Sequence, residues 1–149
     1  QSMAILEYLE ELHPEPALLP PSALDRARVR ALAQAVACDI HPLNNLRVLN
    51  YLTGQLQVSD AQRTAWMHHW MALGLEAIEQ QLAHSPQTGL FCHGDTPTLA
   101  DCCLVPQVFN AQRFQVDMAP YPTVQRIAAH CDSLAPFKSA HPAQQVDAC

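Results

Sequence analysis

The densest run of groups able to do chemistry is Cys38-Asp39-Ile40-His41-Pro42-Leu43-Asn44-Asn45-Leu46-Arg47. Within it an acid, an imidazole, two amides and a guanidinium interrupt an otherwise apolar stretch. Proline lacks a backbone N–H and breaks helical bonding, so Pro42 predicts a kink near residues 39–41. Two readings stay open on spacing alone. The freed backbone and the polar side chains meet a ligand, or they cap the kink and satisfy one another. A second polar group, Gln107, Asn110, Gln112 and Arg113, closes a later helical segment. There Arg113 is either a surface charge or an anchor for an anion.

Other reactive types carry less. His68-His69 has no HExxH around it, and Cys38-x-x-His41 and Cys92-His93 have no matching second pair, so no metal site is expected. Cys102-Cys103 falls on an apolar helix, where buried thiols are inert. The six cysteines (38, 92, 102, 103, 131 and 149) include an adjacent pair, and reduced thiols in a cytoplasmic protein fit better than a disulfide framework. No GxGxxG or GxxxxGK[ST] loop is present.

The elements that must position these groups read as all-α. Ile5, Leu9 and Leu12 form a stripe on a helix over 1–12, with Tyr8 beside it and Glu7, Glu10 and Glu11 facing away. Residues 13–22 hold four prolines and form an extended linker. From Ser22 to about 53 one long helix is expected, kinked at Pro42 and stopped by Gly54. Ser59 and Gln62 form a capping box for a helix whose apolar face is Trp66, Trp70, Leu73, Ala77, Ile78 and Leu82. Thr98 and Asp101 form a second box. Short helices follow near 123–131 and 133–140, and the tail from His141 is expected to fray.

Composition agrees. Of 149 residues, 49% are hydrophobic and 15% charged, enough apolar material for a single packed domain. Four glycines leave few positive-φ turns for a β-sandwich or barrel. The net charge of −6, with one lysine and scattered arginines, argues against nucleic acid and anionic membrane as partners. Arginine in place of lysine suits bidentate carboxylate pairing, or reflects background codon usage.

The block Asp39–Leu49 resembles the zeta class of glutathione transferases, which includes maleylacetoacetate and maleylpyruvate isomerases. Gly94-Asp95-Thr96-Pro97-Thr98-Leu99-Ala100-Asp101, Leu104–Val108, Arg113-Phe114, Pro120-Tyr121-Pro122 and the start Gln1-Ser2-x-Ala4-Ile5 resemble the same class. The resemblance implies a two-domain, glutathione-dependent, homodimeric enzyme. Residues 1–12 would be the last helix of a thioredoxin-like domain, 13–22 the linker, and 23–149 the all-α C-terminal domain. It further implies that the thiol-activating loop lies upstream, so no catalytic residue is assigned in this chain, and the fragment alone is expected to be inactive. Gln1, Ser2, Asp39, His41 and Asn45 would face glutathione. Arg47 and Arg113 would bind the two carboxylates of a small dicarboxylate substrate, the cis isomer of which is converted to the fumaryl form. Some maleylpyruvate isomerases carry two adjacent arginines where this chain has Leu46-Arg47, which leans toward maleylacetoacetate. A non-catalytic helical binding module and a zeta-type transferase acting on halogenated acids are the alternatives.

Overall fold

The computed structural model describes residues 1–146, and Cys149 lies outside them. It contains α1 (Ser2–Leu12), α2 (Ala23–Gln34), a π-helical segment (Ala35–Ile40), a 3-10 turn (His41–Asn44), α3 (Leu46–Gly54), α4 (Asp60–Ala83), α5 (Leu99–Arg113), α6 (Pro122–Ser133), α7 (Ala135–Ala140) and a last 3-10 turn (Pro142–Gln144). No strand occurs among the described residues. The all-α expectation holds.

The core is built from helical stripes at three- and four-residue spacing. α2 packs on α5, where Val29 and Leu32 of one and Leu104, Val108 and Ala111 of the other are buried, and Val36 of the π segment, which also touches α5, is buried too. Met67, Met71, Leu75, Ile78 and Leu82 of α4 pack toward the π segment and α6, whose Val124, Ile127 and Cys131 are buried. The face of α4 is thus rotated from the expected one. Met71 and Leu75 are fully buried while Leu73 is 56% exposed. Apolar residues occur nearly all round this helix, so the neighbours, not the pattern, decide its orientation.

Both capping boxes form. Gln62 accepts from the Ser59 N–H at 2.8 Å, and the Ser59 hydroxyl accepts from the Gln62 N–H at 3.3 Å. Asp101, completely buried, accepts from the Thr98 N–H and hydroxyl and from the Cys92 N–H at 2.7–2.9 Å. Glu79 does a similar job at a distance, accepting the first free N–H groups of α6 from Thr123 and Val124 at 3.0 and 2.9 Å.

Three expectations need correction. In α1, Glu10 does not face away. It is buried and accepts the Leu18 and Leu19 N–H groups at 2.8 and 3.1 Å, while Glu7 takes both nitrogens of an Arg30 fork at 2.7 and 2.9 Å. The acidic face therefore packs on the bundle, and Ile5, Tyr8, Leu9 and Leu12 are exposed. The long helix over 22–53 is not one kinked helix but two α-helices joined by π and 3-10 turns. The tail does not fray at His141, because Gln145 donates to the Ser139 and His141 carbonyls and closes a 3-10 turn.

Candidate functional site

The π segment is where the polar run acquires its shape. Widening to i→i+5 bonding leaves the His41 N–H donating to the Val36 carbonyl. Val36 and Ile40 are buried, and Cys38, Asp39 and His41 are exposed. Gly74 of α4 makes room for this turn. A Cβ at that position would overlap the Ile40 side chain, so only glycine lets Ile40 lie on the α4 backbone. Pro42 then falls at the start of the 3-10 turn, where its missing N–H is not needed.

The 3-10 turn is tied down from two sides. Asn44 donates to the Ile40 carbonyl at 3.3 Å, and the Trp66 indole N–H of α4 donates to the Leu43 carbonyl at 2.8 Å. Asn45 caps α3, its Oδ1 accepting from the Arg47 N–H at 3.2 Å. Half of the Asn45 amide is thereby committed to the cap, and its Nδ2 remains a donor. The Oδ1 of Asn44 is buried with no partner.

Arg47 is exposed in the first turn of α3, with no acid in that turn and no ion pair among the described residues. A cation at the positive end of a helix dipole costs roughly 0.3–1 kcal/mol. Arg113 is placed the opposite way. It closes α5 at the favourable end of the dipole, and its guanidinium lies 5.7 Å from the centre of the Phe114 ring. Arg113 thus has structural reasons to be where it is, and Arg47 has none. Being unpaired decides nothing alone, since Arg126 is equally exposed and unpaired.

Gln1 and Ser2 open α1. Its N-terminus carries no side-chain cap and no acid in the first turn, so its free N–H groups are available to an anion. The Glu10–Leu19 and Glu7–Arg30 contacts hold α1 against the linker and α2, and Met3 lies 3.7 Å from the Cys103 thiol of α5. No hydrogen bond links Gln1 or Ser2 to the Asp39–Arg47 run among the described residues. Asp39, His41, Asn45 and Arg47 lie on one continuous stretch, while Arg113 stands at the end of α5, whose capping residue Phe114 is tied to α4 by His68.

Four of the thiols are set by burial. Burial raises Cys102 and Cys103 to about 11 and Cys131 to about 12, and it pushes Cys92 well up too, each helped except at Cys103 by the Asp101 charge. His68 donates from Nε2 to the Phe114 carbonyl at 2.7 Å, and His69 stacks edge-on against Trp70. No group of three or more His, Cys, Asp and Glu able to hold a metal occurs among the described residues, and no helix there is long and apolar enough to cross a membrane. A groove of about 540 Å³ between α5 and α7, lined by Val105, Pro106, Phe109, Leu134 and Phe137, contains none of the expected site residues. The roles of Trp66, His68 and Gly74 were not anticipated. Gly74, a lone glycine within the long helix, was the one available signal.

The family model for the glutathione S-transferase C-terminal domain matches residues 60–142. A probable maleylacetoacetate isomerase of Vibrio cholerae is 48% identical over 149 residues, covering all of this chain and 68% of the relative. The holo structure of a maleylpyruvate isomerase, described as a zeta-class bacterial glutathione S-transferase, superposes with a TM-score of 0.98 at 52% identity, over 100% of this chain and 70% of that one. A maleylacetoacetate isomerase from Anaeromyxobacter dehalogenans, with dicarboxyethyl glutathione and citrate in its active site, gives 0.93 at 50% identity, over 100% and 66%. The chain belongs to the glutathione S-transferase family, in its zeta class. It spans about two thirds of the length of these relatives.

Proposed function

We propose that this chain forms the substrate-side part of a glutathione-dependent cis–trans isomerase acting on maleylacetoacetate or maleylpyruvate. The observation that carries the reading is Arg47, a solvent-facing cation at the end of a helix where it opposes the dipole and has no partner. A carboxylate there would be met by the guanidinium and by the helix N-terminus together. Arg113 supplies the second cation, so the pair suits a dianion.

Glutathione supplies the thiolate whose reversible addition to the cis double bond frees it to rotate. The residues present fit that ligand. The uncapped start of α1 at Gln1 and Ser2 offers N–H donors to a carboxylate of glutathione. Asp39 is an exposed acid without an ionic partner, suited to an ammonium, and His41 and the Asn45 Nδ2 are exposed or half-exposed polar groups beside it. Arg47 and Arg113 hold the substrate carboxylates and stabilise negative charge that develops as the thiolate adds. Activation of the thiol is assigned to residues outside these 149, in keeping with the share of the relatives that the chain spans. A homodimer is the proposed assembly.

The test is isomerase turnover with glutathione. The 149 residues alone should show none, and joining them to the unmatched third of the Vibrio relative should restore it. Turnover by the chain alone would sink the division of labour. Unchanged kcat/KM in Arg47→Ala of the active hybrid would remove the dicarboxylate site.

A further inference from the structure

Arg47 and Arg113 reach the site from elements that share no hydrogen bond or ion pair among the described residues. Besides the packing of α5 on α2 and the π segment, one turn of α4 is tied by a hydrogen bond to each of the two arginine-bearing segments. Trp66 donates its indole N–H to the Leu43 carbonyl, just ahead of the Asn45 cap from which Arg47 projects. Two residues on, His68 Nε2 lies 2.7 Å from the Phe114 carbonyl, immediately after Arg113. Two residues of α-helix advance about 3 Å, so the two contacts leave α4 at nearly one level and on different sides.

Both accepting carbonyls stand where the backbone has run out of its own donors. Leu43 is in a four-residue 3-10 turn, and Phe114 caps the C-terminus of α5. Beyond Phe114 the chain turns sharply through Gln115, whose φ of 58° is left-handed and strained for a residue with a side chain. The reversal is closed by the Gln115 and Val116 N–H groups donating to the Gln112 and Ala111 carbonyls at 2.9 Å, and the His68 bond ties this closed turn, with the Phe114 ring over which the Arg113 guanidinium lies, to α4. The α4 turn is itself stiff. Trp66 packs edge-on against Trp70 with ring centres 5.6 Å apart, and Met67 and Met71 anchor it in the core.

We infer that Trp66 and His68 are positioning residues that fix the spacing of Arg47 and Arg113, and so set which dicarboxylate the site accepts by the distance between its carboxylates. The inference rests on the reading of the two arginines as the dicarboxylate site. His68 acts only through the Phe114 carbonyl, and donating from Nε2 requires the proton on that nitrogen.

Calorimetric titration of the 149-residue protein with maleate and with adipate, a dianion of wider carboxylate spacing, tests it. His68→Ala should weaken maleate about fivefold, as expected for one lost hydrogen bond, and erase the preference for maleate over adipate. His68→Gln keeps a donor within reach of the same carbonyl and should recover most of that preference. Trp66→Phe keeps the ring and loses the N–H, and should reproduce the loss of selectivity from the Arg47 side. The melting temperature of His68→Ala should stay within a degree or two, since the contact is exposed. Unchanged selectivity in His68→Ala, or an equal loss for both dianions that glutamine does not rescue, overturns the positioning role. If Arg113→Ala weakens maleate and His68→Ala does not, only this inference falls. If the unmodified protein binds no maleate, or Arg47→Ala and Arg113→Ala leave binding unchanged, the dicarboxylate reading falls with it.

Discussion

The start of α5 and the turn from Asp39 to Arg47 use similar residues to opposite ends. Each places an acid and a hydroxyl or amide at a helix boundary. At α5 the chain satisfies all of them. Asp101 is completely buried and accepts three hydrogen bonds, and the loop before the helix is organised around it. At the other boundary Asp39, His41 and Arg47 are exposed without ionic partners, and the Asn44 Oδ1 is buried without one. A polar group that its own chain satisfies has a structural job. A group held rigidly by its backbone and left unsatisfied is available to a ligand. Residue type does not separate the two cases; pairing taken together with the place on the helix does.

The largest effect should come from breaking the satisfied boundary. Asp101→Ala strands the Thr98 and Cys92 donors in the core, and unfolding in urea should show a loss of about 3 kcal/mol. A loss below about 1 kcal/mol would mean that the α5 cap is not the structural pole of the contrast. Next is Gly74→Ala, which forces a methyl group into Ile40 and should cost about 2 kcal/mol. Because Ile40 ends the π segment, kcat/KM of the active hybrid should fall as well. Adding Ile40→Ala removes the overlapping Cγ1 and Cδ1 atoms, so the double variant should be better than the sum of the two single losses. Strict additivity would show that Gly74 does not shape the Asp39–His41 turn.

What could be read from the sequence was local. The Ser59–Gln62 and Thr98–Asp101 boxes and the break at Pro42 depend on neighbours within four residues, and each formed. The run Asp39–Arg47 could be singled out because it is contiguous. The π geometry could not, because it depends on Gly74 in another helix. Nor could the face of α4, where the pattern is apolar nearly all round and only the packed neighbours choose Met67, Met71 and Leu75. The buried Glu10 was missed for a related reason. An acid beside an apolar stripe looks solvent-facing until the Leu18 and Leu19 N–H groups turn back onto it. The attachment of Arg113 through His68, 46 residues away from Phe114, is likewise a product of the tertiary fold.

The two arginines sharpen the contrast by sign. Arg47→Ala should lower kcat/KM by the equivalent of about 2 kcal/mol, yet leave stability unchanged or raise it by a few tenths, because it removes a cation from the wrong end of a dipole. Arg113→Ala should lower activity similarly and lower stability slightly, since that cation is at the right end. Thermal melts beside kinetics check both. A stability loss in Arg47→Ala would show a structural role that the geometry does not contain.

The smallest effect belongs to the intermediate case, Glu7 and Arg30, a pair that is satisfied yet about a third exposed on each side. The Arg30 fork hydrogen-bonds the Glu7 carboxylate and holds its pKa below the usual 4.5, the charge of Arg30 adding to this and partial burial opposing it. An acid whose pKa is lower folded than unfolded stabilises the fold at pH values above the unfolded pKa. That contribution drains away as pH falls through the folded value. At this exposure it amounts to about 0.5 kcal/mol. Glu7→Gln should therefore be less stable than the parent by about that amount at pH 7, with the gap closing as the pH is lowered until the folded carboxylate is protonated. High salt should shrink the gap at pH 7, because an exposed pair is screened. A gap that persists unchanged throughout the acid range would mean that Glu7 holds α1 to the bundle by packing rather than by charge.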